Sequence, residues 1–171
     1  MKRAATLLAV AVFATSAHAA APQVLVSFDP TVAFNVDRDL QYTPDAEALR
    51  EELRQFVIAR AAPYLAEGNT FAVTFTRVAL AGTLEPWRLP GWNSVRVVDG
   101  RYPPRIELEF RLAAADGTLV RAGRRTLFDI DYRLHHPEAQ PSRDPLRYEK
   151  PLVAQWLAAE LAPAGRGGSA Q

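Results

Sequence analysis

Four polar residues towards the C-terminal end have side chains suited to hydrolysis or metal binding. They are Asp129, Asp131, His135 and His136. Carboxylates and imidazoles act as general acids and bases, and both ligate zinc. The set suggests a hydrolase or metal-dependent enzyme if the four side chains converge in a cleft. Against a metal site, adjacent histidines in an extended segment point to opposite sides, and the chain has neither a His-x-x-x-His motif nor a cysteine.

A long connection at residues 82–104 is the second candidate. Connections of this length in compact domains are usually functional or flexible. Its candidate ligand- or partner-binding residues are Glu85, Trp87, Arg88, Trp92 and Tyr102. Exposed aromatic rings can stack on a sugar ring, a peptide or a partner surface. The alternative is that Trp87 and Trp92 cap the edge of the hydrophobic core.

Arginines outnumber acidic residues over residues 96–125, which suggests a third class, an anion-binding module. The arginines are Arg96, Arg101, Arg105, Arg111, Arg121, Arg124 and Arg125. On an antiparallel sheet with one solvated face, Arg and Glu commonly pair across strands. An anion-binding face therefore requires these arginines to lack acidic partners.

Motifs of familiar enzyme mechanisms are missing from the sequence. The lack of cysteine excludes disulfides, thiolate zinc sites, iron–sulfur clusters and cysteine nucleophiles. There is no G-x-S-x-G elbow, S-x-x-K pair or glycine-rich phosphate loop before a helix. The sequence therefore predicts no catalytic residue, no metal and no cofactor.

The elements that position these residues begin with a strand and a long helix. Residues 23–28 are a short apolar run closed by an Asp-Pro turn, which predicts a strand. Residues 29–43 are polar and predict an irregular connection. Thr43 is a candidate N-cap before Pro44, and apolar side chains then recur at three- and four-residue steps. This pattern predicts a helix over residues 44–65.

Three more strands and a final helix are predicted beyond it. Alternation with period two begins at Thr70 and recurs over residues 105–112. A return strand is expected over residues 118–132, and helical spacing marks residues 148–161.

An Asp-Gly pair predicts a hairpin between the last two strands. A three-residue loop at residues 115–117 with a left-handed glycine is the simplest connection. It pairs Leu112 with Val120 and Phe110 with Ala122.

The order β-α-β-β-β-α predicts an α+β fold. We expect a mainly antiparallel sheet of about four strands, with the long helix on one face and the C-terminal helix on the same side or at an edge. At 171 residues the chain has room for one domain, predicted over residues 20–162 before a disordered tail at residues 163–171.

The first 19 residues have the pattern of a secretory signal peptide. Lys2 and Arg3 precede an apolar run too short to span a membrane, and a small-x-small triplet predicts cleavage after Ala19. Cleavage removes two of the 20 basic residues and none of the 19 acidic ones, so the net charge changes from +1 to −1. We therefore expect a soluble periplasmic protein with no membrane anchor and no nucleic-acid partner.

Four sequence blocks carry a family resemblance: VLVSFDPTVAF, VALAGTLEPW, YPPRIELEFRL and LRYEKPLVAQWL. With these blocks the chain resembles an exported proteobacterial family classed as domain of unknown function 3016, over nearly all of residues 22–161. The resemblance implies export and the extent of the fold, and it implies no activity. Acidic residues often precede the family's Leu-Ala-Gly step, whereas Arg77 and Ala79 stand there in this chain. No carboxylate role is therefore carried over.

Together these features predict a non-catalytic binding or accessory protein of the cell envelope. The 82–104 loop would contact an unidentified protein or an envelope glycan, and Trp87 or Trp92 would be exposed in a groove. The alternative is the hydrolase or metal-dependent enzyme built from Asp129, Asp131 and the two histidines.

Overall fold

The structure, a computed structural model, describes residues 20–32, 34–36, 40–41, 46–88, 90, 95–135 and 144–162. Its elements in chain order are β1 (Gln23–Phe28), β2 (Phe34–Val36), β3 (Leu40–Gln41), α1 (Ala46–Ala61), β4 (Thr70–Leu80), β5 (Thr83–Leu84), β6 (Arg96–Val97), β7 (Arg105–Ala113), β8 (Leu119–Phe128), α2 (Tyr132–His135) and α3 (Glu149–Leu161). The signal segment, the tail at residues 163–171 and the predicted N-cap Thr43 lie outside the described residues.

The main sheet is built around β4. Its strand order is β3-β2-β4-β7-β8, and β1 also pairs with β4. The β4–β7 and β7–β8 pairs are antiparallel, whereas β1 and β2 run parallel to β4 at successive stretches of its other edge. A parallel β1–β4 pair needs a crossover connection, which α1 provides. The predicted α+β fold is confirmed, with four long, mostly antiparallel strands, a long helix and a C-terminal helix.

Several segments differ from the prediction. The helix predicted over residues 44–65 ends at Ala61 and is followed by a short 3-10 helix, Ala62–Tyr64, and the 82–104 loop contains β5 and β6. Residues 29–43 were expected to be irregular, yet they contribute the short strands β2 and β3. The return strand was expected to reach Tyr132, but β8 ends at Phe128 and Tyr132 begins α2. Strands of two or three residues are too short to show a period, and they depend on pairing with distant parts of the chain.

The hairpin has the predicted turn and a different register. Gly117 has a φ of 83° and lies in the three-residue loop, where its N–H donates to the carbonyl of Ala114. Ala113 then pairs with Leu119, but Leu112 pairs with Arg121, because a β-bulge inserts one extra residue. The predicted pairing of Leu112 with Val120 is therefore wrong by one residue, as is that of Phe110 with Ala122, since Gly123 faces Phe110.

Both long helices pack on one face of the sheet. Leu49, Leu53 and Val57 of α1 share a buried core with Trp156 and Leu157 of α3 and with the inward side chains of the strands. We call the other side the open face, because within the described residues no helix covers it. It presents Leu25, Ala72, Arg77, Arg105, Glu107, Glu109, Arg111, Arg124 and Phe128.

A smaller buried cluster joins the end of β4 to α2 and α3. It contains Ala81, Tyr132 and Tyr148, and the two rings meet edge to face with 5.0 Å between centroids. Glu149 is fully buried, and its Oε1 accepts a hydrogen bond of 2.7 Å from the Ala81 N–H. Burial raises the pKa of Glu149, an effect that the charge of Arg96 opposes. Burial also raises the pKa of Tyr132 to about 12.

Among the described residues, no helix has both the length and the apolar character needed to cross a membrane.

Candidate functional site

A groove lies where the open face meets the 82–104 loop. It has a volume of about 680 Å³ and is lined by Arg77, Ala79, Leu80, Gly82, Gly100, Arg101, Tyr102, Pro103, Arg105, Phe128 and Ile130. Three of these side chains are guanidinium groups, and none is a carboxylate. We call this the arginine groove. Its size falls within the range of small-molecule sites.

A β-bulge in β4 turns Arg77 into the groove. Phe75 pairs with Leu108 on the core side, and Arg77 pairs with Glu107, so Thr76 is an extra residue in the ladder. Without it, Arg77 would face the same side as Phe75, because alternate residues of a strand share a face. Bulges are common beside functional sites, where they redirect a side chain.

Neighbouring strands bring the apolar part of the groove to the same place. Ala79 of β4 pairs with Arg105 of β7, and Arg105 pairs with Phe128 of β8. Phe128 is 51% exposed although it is aromatic. Ile130 follows in the chain and is more exposed still. A cation therefore stands beside a solvent-accessible aromatic ring.

Backbone contacts bring the two ends of the 82–104 loop together. The N–H of Gly82 donates to the carbonyl of Tyr102 at 2.8 Å. Gly82 has a φ of 93°, and a Cβ there would lie 2.6 Å from the carbonyl oxygen of Val97. Only glycine fits both conditions. The close approach of these two segments of the loop places Tyr102 in the lining of the groove.

Carboxylates outside the groove orient two of its arginines. Arg101 donates from Nε to Asp99 at 2.9 Å, and its Nη2 lies 3.3 Å from Glu85. Arg105 donates from Nε to Glu107 at 3.1 Å. Hydrogen bonding from Arg101 lowers the pKa of Asp99, so the pair stays charged.

Arg77 differs from the other two arginines of the groove. Across the ranges that the structure describes, it makes no ion pair or side-chain hydrogen bond. It is exposed and stands opposite Glu107, which Arg105 already engages. Arg77 is therefore the uncompensated charge of the groove.

The predicted binding residues fall into different environments. Glu85 is buried and contacts Arg88 and Arg101, so it positions other groups and does not face solvent. Trp87 is 72% exposed, which shows that it does not cap the core, and it does not line the arginine groove. Tyr102 does line the groove. Trp92 lies outside the described residues.

Sequence reasoning missed Arg77, Phe128 and Ile130. A signal for Arg77 was present, because the apolar positions of β4 change phase between Phe75 and Val78. Such a phase change indicates a bulge. Phe128 and Ile130 were placed in the predicted return strand with no role in a site, because residue type alone does not show whether an apolar side chain is exposed.

The alternative enzyme site is only partly assembled. His135 Nδ1 lies 3.0 Å from Asp129 Oδ2, and the Asp131 N–H donates to Asp129 Oδ1. His136 lies outside the described residues. In the portion of the chain with defined placement, no three His, Asp or Glu side chains lie close enough together to bind a metal ion. Within the same residues, the exposed imidazole of His135 has Asp129 as its one side-chain partner.

Asp129 raises the pKa of His135 above the ordinary value of 6.5. The pairing favours folding below pH 6.5, and that contribution is lost as pH rises through the folded pKa. We expect Asp129→Asn to return the pKa of His135 towards 6.5. Asp131→Asn should have a smaller effect, because that carboxylate acts only through its charge. NMR titration of the imidazole measures both, and equal effects of the two variants would contradict the pairing.

Most arginines of the β7–β8 hairpin have acidic partners. This weakens the hypothesis that the hairpin forms an anion-binding face. Arg124 lies 2.6 Å from Glu109 across the strands. Arg125 and Arg121 lie 3.0 and 3.4 Å from Glu160 of α3. Arg111 has no ion pair within the described residues, but it lies away from the arginine groove, where Arg77 is the arginine without a carboxylate partner.

Fold and groove together define a two-layer α+β protein with an open sheet face and a basic, partly aromatic groove at one end. The chain belongs to the family described as "Protein of unknown function (DUF3016)", which matches residues 23–159. No curated protein matches the chain. Among solved structures it is similar to the "PelC dodecamer from Paraburkholderia phytofirmans", at 10% identity and a TM-score of 0.38, over 80% of this chain and 86% of that chain. A similarity at this level carries no argument about function.

Proposed function

We propose that the protein is exported to the periplasm and acts there as a non-catalytic binding or accessory protein of the cell envelope. Its ligand is an envelope glycan held in the arginine groove. The observation that carries this proposal is that two aromatic side chains line a single groove beside guanidinium groups: Phe128, which is 51% exposed, and the partly buried Tyr102, whose ring centroid lies 5.5 Å from the Arg101 guanidinium. Aromatic faces with nearby polar donors suit a sugar, which has an apolar face and a ring of hydroxyl groups.

The export half of the proposal is supported by the charged start, short apolar run and small-x-small triplet of residues 1–19. The absence of catalysis is proposed because the groove lining contains arginine, aromatic and aliphatic side chains, and no acid or histidine to act as a base.

The test is glycan binding by protein recovered from the periplasmic fraction. We expect fragments of envelope glycans to bind in calorimetry, and Tyr102→Ala to weaken binding about tenfold, the equivalent of about 1.4 kcal/mol. Tyr64→Ala is the matched control, because Tyr64 is an exposed tyrosine that precedes β4 and lies beyond the groove lining. It should bind as the unmodified protein does.

Two results would contradict the proposal. Failure to find the protein in the periplasm overturns the export half. Equal affinity of the Tyr102→Ala and Tyr64→Ala variants overturns the assignment of the glycan to the arginine groove.

A further inference from the structure

We propose that the arginine groove selects an acidic glycan over a neutral one, and that Arg77 binds its acidic group. The inference rests on the proposed function and adds the chemical class of the ligand. The acidic group is a carboxylate or a phosphate, since a guanidinium recognises both through paired N–H donors.

The first step is the charge of the groove wall. Its lining holds three guanidinium groups and no carboxylate. The acids that partner Arg101 and Arg105 lie outside the lining, so the charged side chains that line the groove are all cations. A neutral glycan would bring no negative charge to pair with these guanidinium groups.

The second step is the state of each arginine. Arg101 and Arg105 are tied to carboxylates through some of their donors. Arg77 has all five guanidinium N–H donors uncommitted, as far as the described residues extend. The groove therefore has one full positive charge to be matched by a ligand, and its position is fixed by the bulge at Thr76.

The third step is the neighbouring apolar surface. Phe128 and Ile130 are exposed large hydrophobics on the same wall. A simple anion would leave them in water, whereas a sugar ring bearing an acidic group covers both these apolar side chains and the cation. This combination favours an acidic sugar over a free inorganic anion.

The test compares a short oligogalacturonate with the same oligomer after its carboxyl groups are reduced to alcohols. We expect the periplasmic protein to bind the acidic oligomer about 10- to 100-fold more tightly, because hydrogen bonds to charged groups are strong. Arg77→Gln should abolish most of that preference. Added salt should weaken binding of the acidic oligomer and leave that of the reduced one unchanged.

Arg111→Gln is the matched control. Arg111 lies on the same open face, opposite Ala72 and away from the groove lining, and it too has no ion pair among residues with defined placement. It should keep the full preference for the acidic oligomer. Equal loss in both variants would show a general charge effect and would overturn the inference. Unfolding midpoints of both variants check that each is folded.

Other outcomes separate the two proposals. Equal binding of acidic and reduced oligomers, unaffected by Arg77→Gln, overturns the inference while the glycan-binding function stands. Binding of neither oligomer nor any other glycan fragment overturns the proposed function itself. A further arm replaces the uronate by a phosphorylated oligosaccharide of the same length, and tighter binding of one identifies the acidic group.

Discussion

Replacing Phe71 by alanine should lower the free energy of unfolding by about 3–5 kcal/mol. Phe71 is fully buried on the core face of β4, near the start of the strand. Its ring centroid lies 6.3 Å from that of Phe110 and 6.1 Å from that of Trp156. Loss of the ring would remove contacts that join the sheet to α3 and leave a cavity that a rigid sheet cannot close.

Chemical denaturation measures this change, with Leu25→Ala as the comparison. Leu25 lies on the open face, pairs with Ala72 on the adjacent strand, and is 54% exposed. Its replacement should cost less than about 1 kcal/mol, because an exposed side chain loses little burial. A cost for Leu25→Ala that equals the cost for Phe71→Ala would mean that the open face is covered in solution.

The second large effect is expected at Glu149. Glu149→Ala should destabilise the fold by about 2–4 kcal/mol, since it leaves the Ala81 N–H without its acceptor and opens a space in a buried site. The expected cost reflects an unsatisfied buried donor, which is more expensive than the mean value of a hydrogen bond. Denaturation of the purified protein measures it.

Glu149→Gln distinguishes a protonated, uncharged Glu149 from an ionised Glu149 in a buried ion pair. Glutamine keeps a carbonyl oxygen for the Ala81 N–H and carries no charge. Because burial raises the pKa of Glu149, we expect this variant to cost less than about 1 kcal/mol. A cost of several kcal/mol would instead show that an ionised Glu149 is held by Arg96.

The pH dependence gives an independent measure of the same carboxyl. With a folded pKa above the ordinary 4.5, the folded state holds its proton at pH values where the unfolded chain has released it. The contribution of Glu149 to stability therefore falls as pH rises beyond 4.5. The Glu149→Gln variant should lack this decline, so its stability relative to the unmodified protein should improve as pH rises.

Local sequence patterns predicted the elements whose side chains alternate regularly. The apolar residues of β7 have a strict period of two, and those of α1 recur at helical spacing, so both were predicted near their observed bounds. The Asp-Gly pair predicted the hairpin turn, because the left-handed position of a three-residue loop favours glycine. These features depend on neighbouring residues alone.

The remaining features of the fold could not be predicted from local sequence patterns, because they depend on contacts between residues distant in the chain. The bulge beside Leu119 moved the hairpin register, and β2 and β3 exist because they pair along β4 and with each other. Glu149 stands in the first turn of α3, where an acid ordinarily faces solvent and the helix dipole. Its burial depends on Ala81, which is 68 residues away in the chain.

The candidate site was predicted only in part for the same reason. Tyr102 belongs to the 82–104 loop, which its length and composition indicated as a candidate site. In the structure Tyr102 lines the groove. Arg77 and Phe128 come from strands that were interpreted as scaffold. They meet because β4, β7 and β8 bring Ala79, Arg105 and Phe128 into one row across the sheet.

The position of β8 at the margin of the described sheet bears on how the protein avoids aggregation. A marginal strand offers backbone amides and carbonyls to any other extended chain, a hazard at high protein concentration. Here the strand carries Arg121, Arg124 and Arg125, and its bulge beside Leu119 interrupts the even spacing of those backbone groups. Charge and irregularity along this margin oppose the addition of a foreign strand, so the exposed edge of β8 is a poor template for fibres.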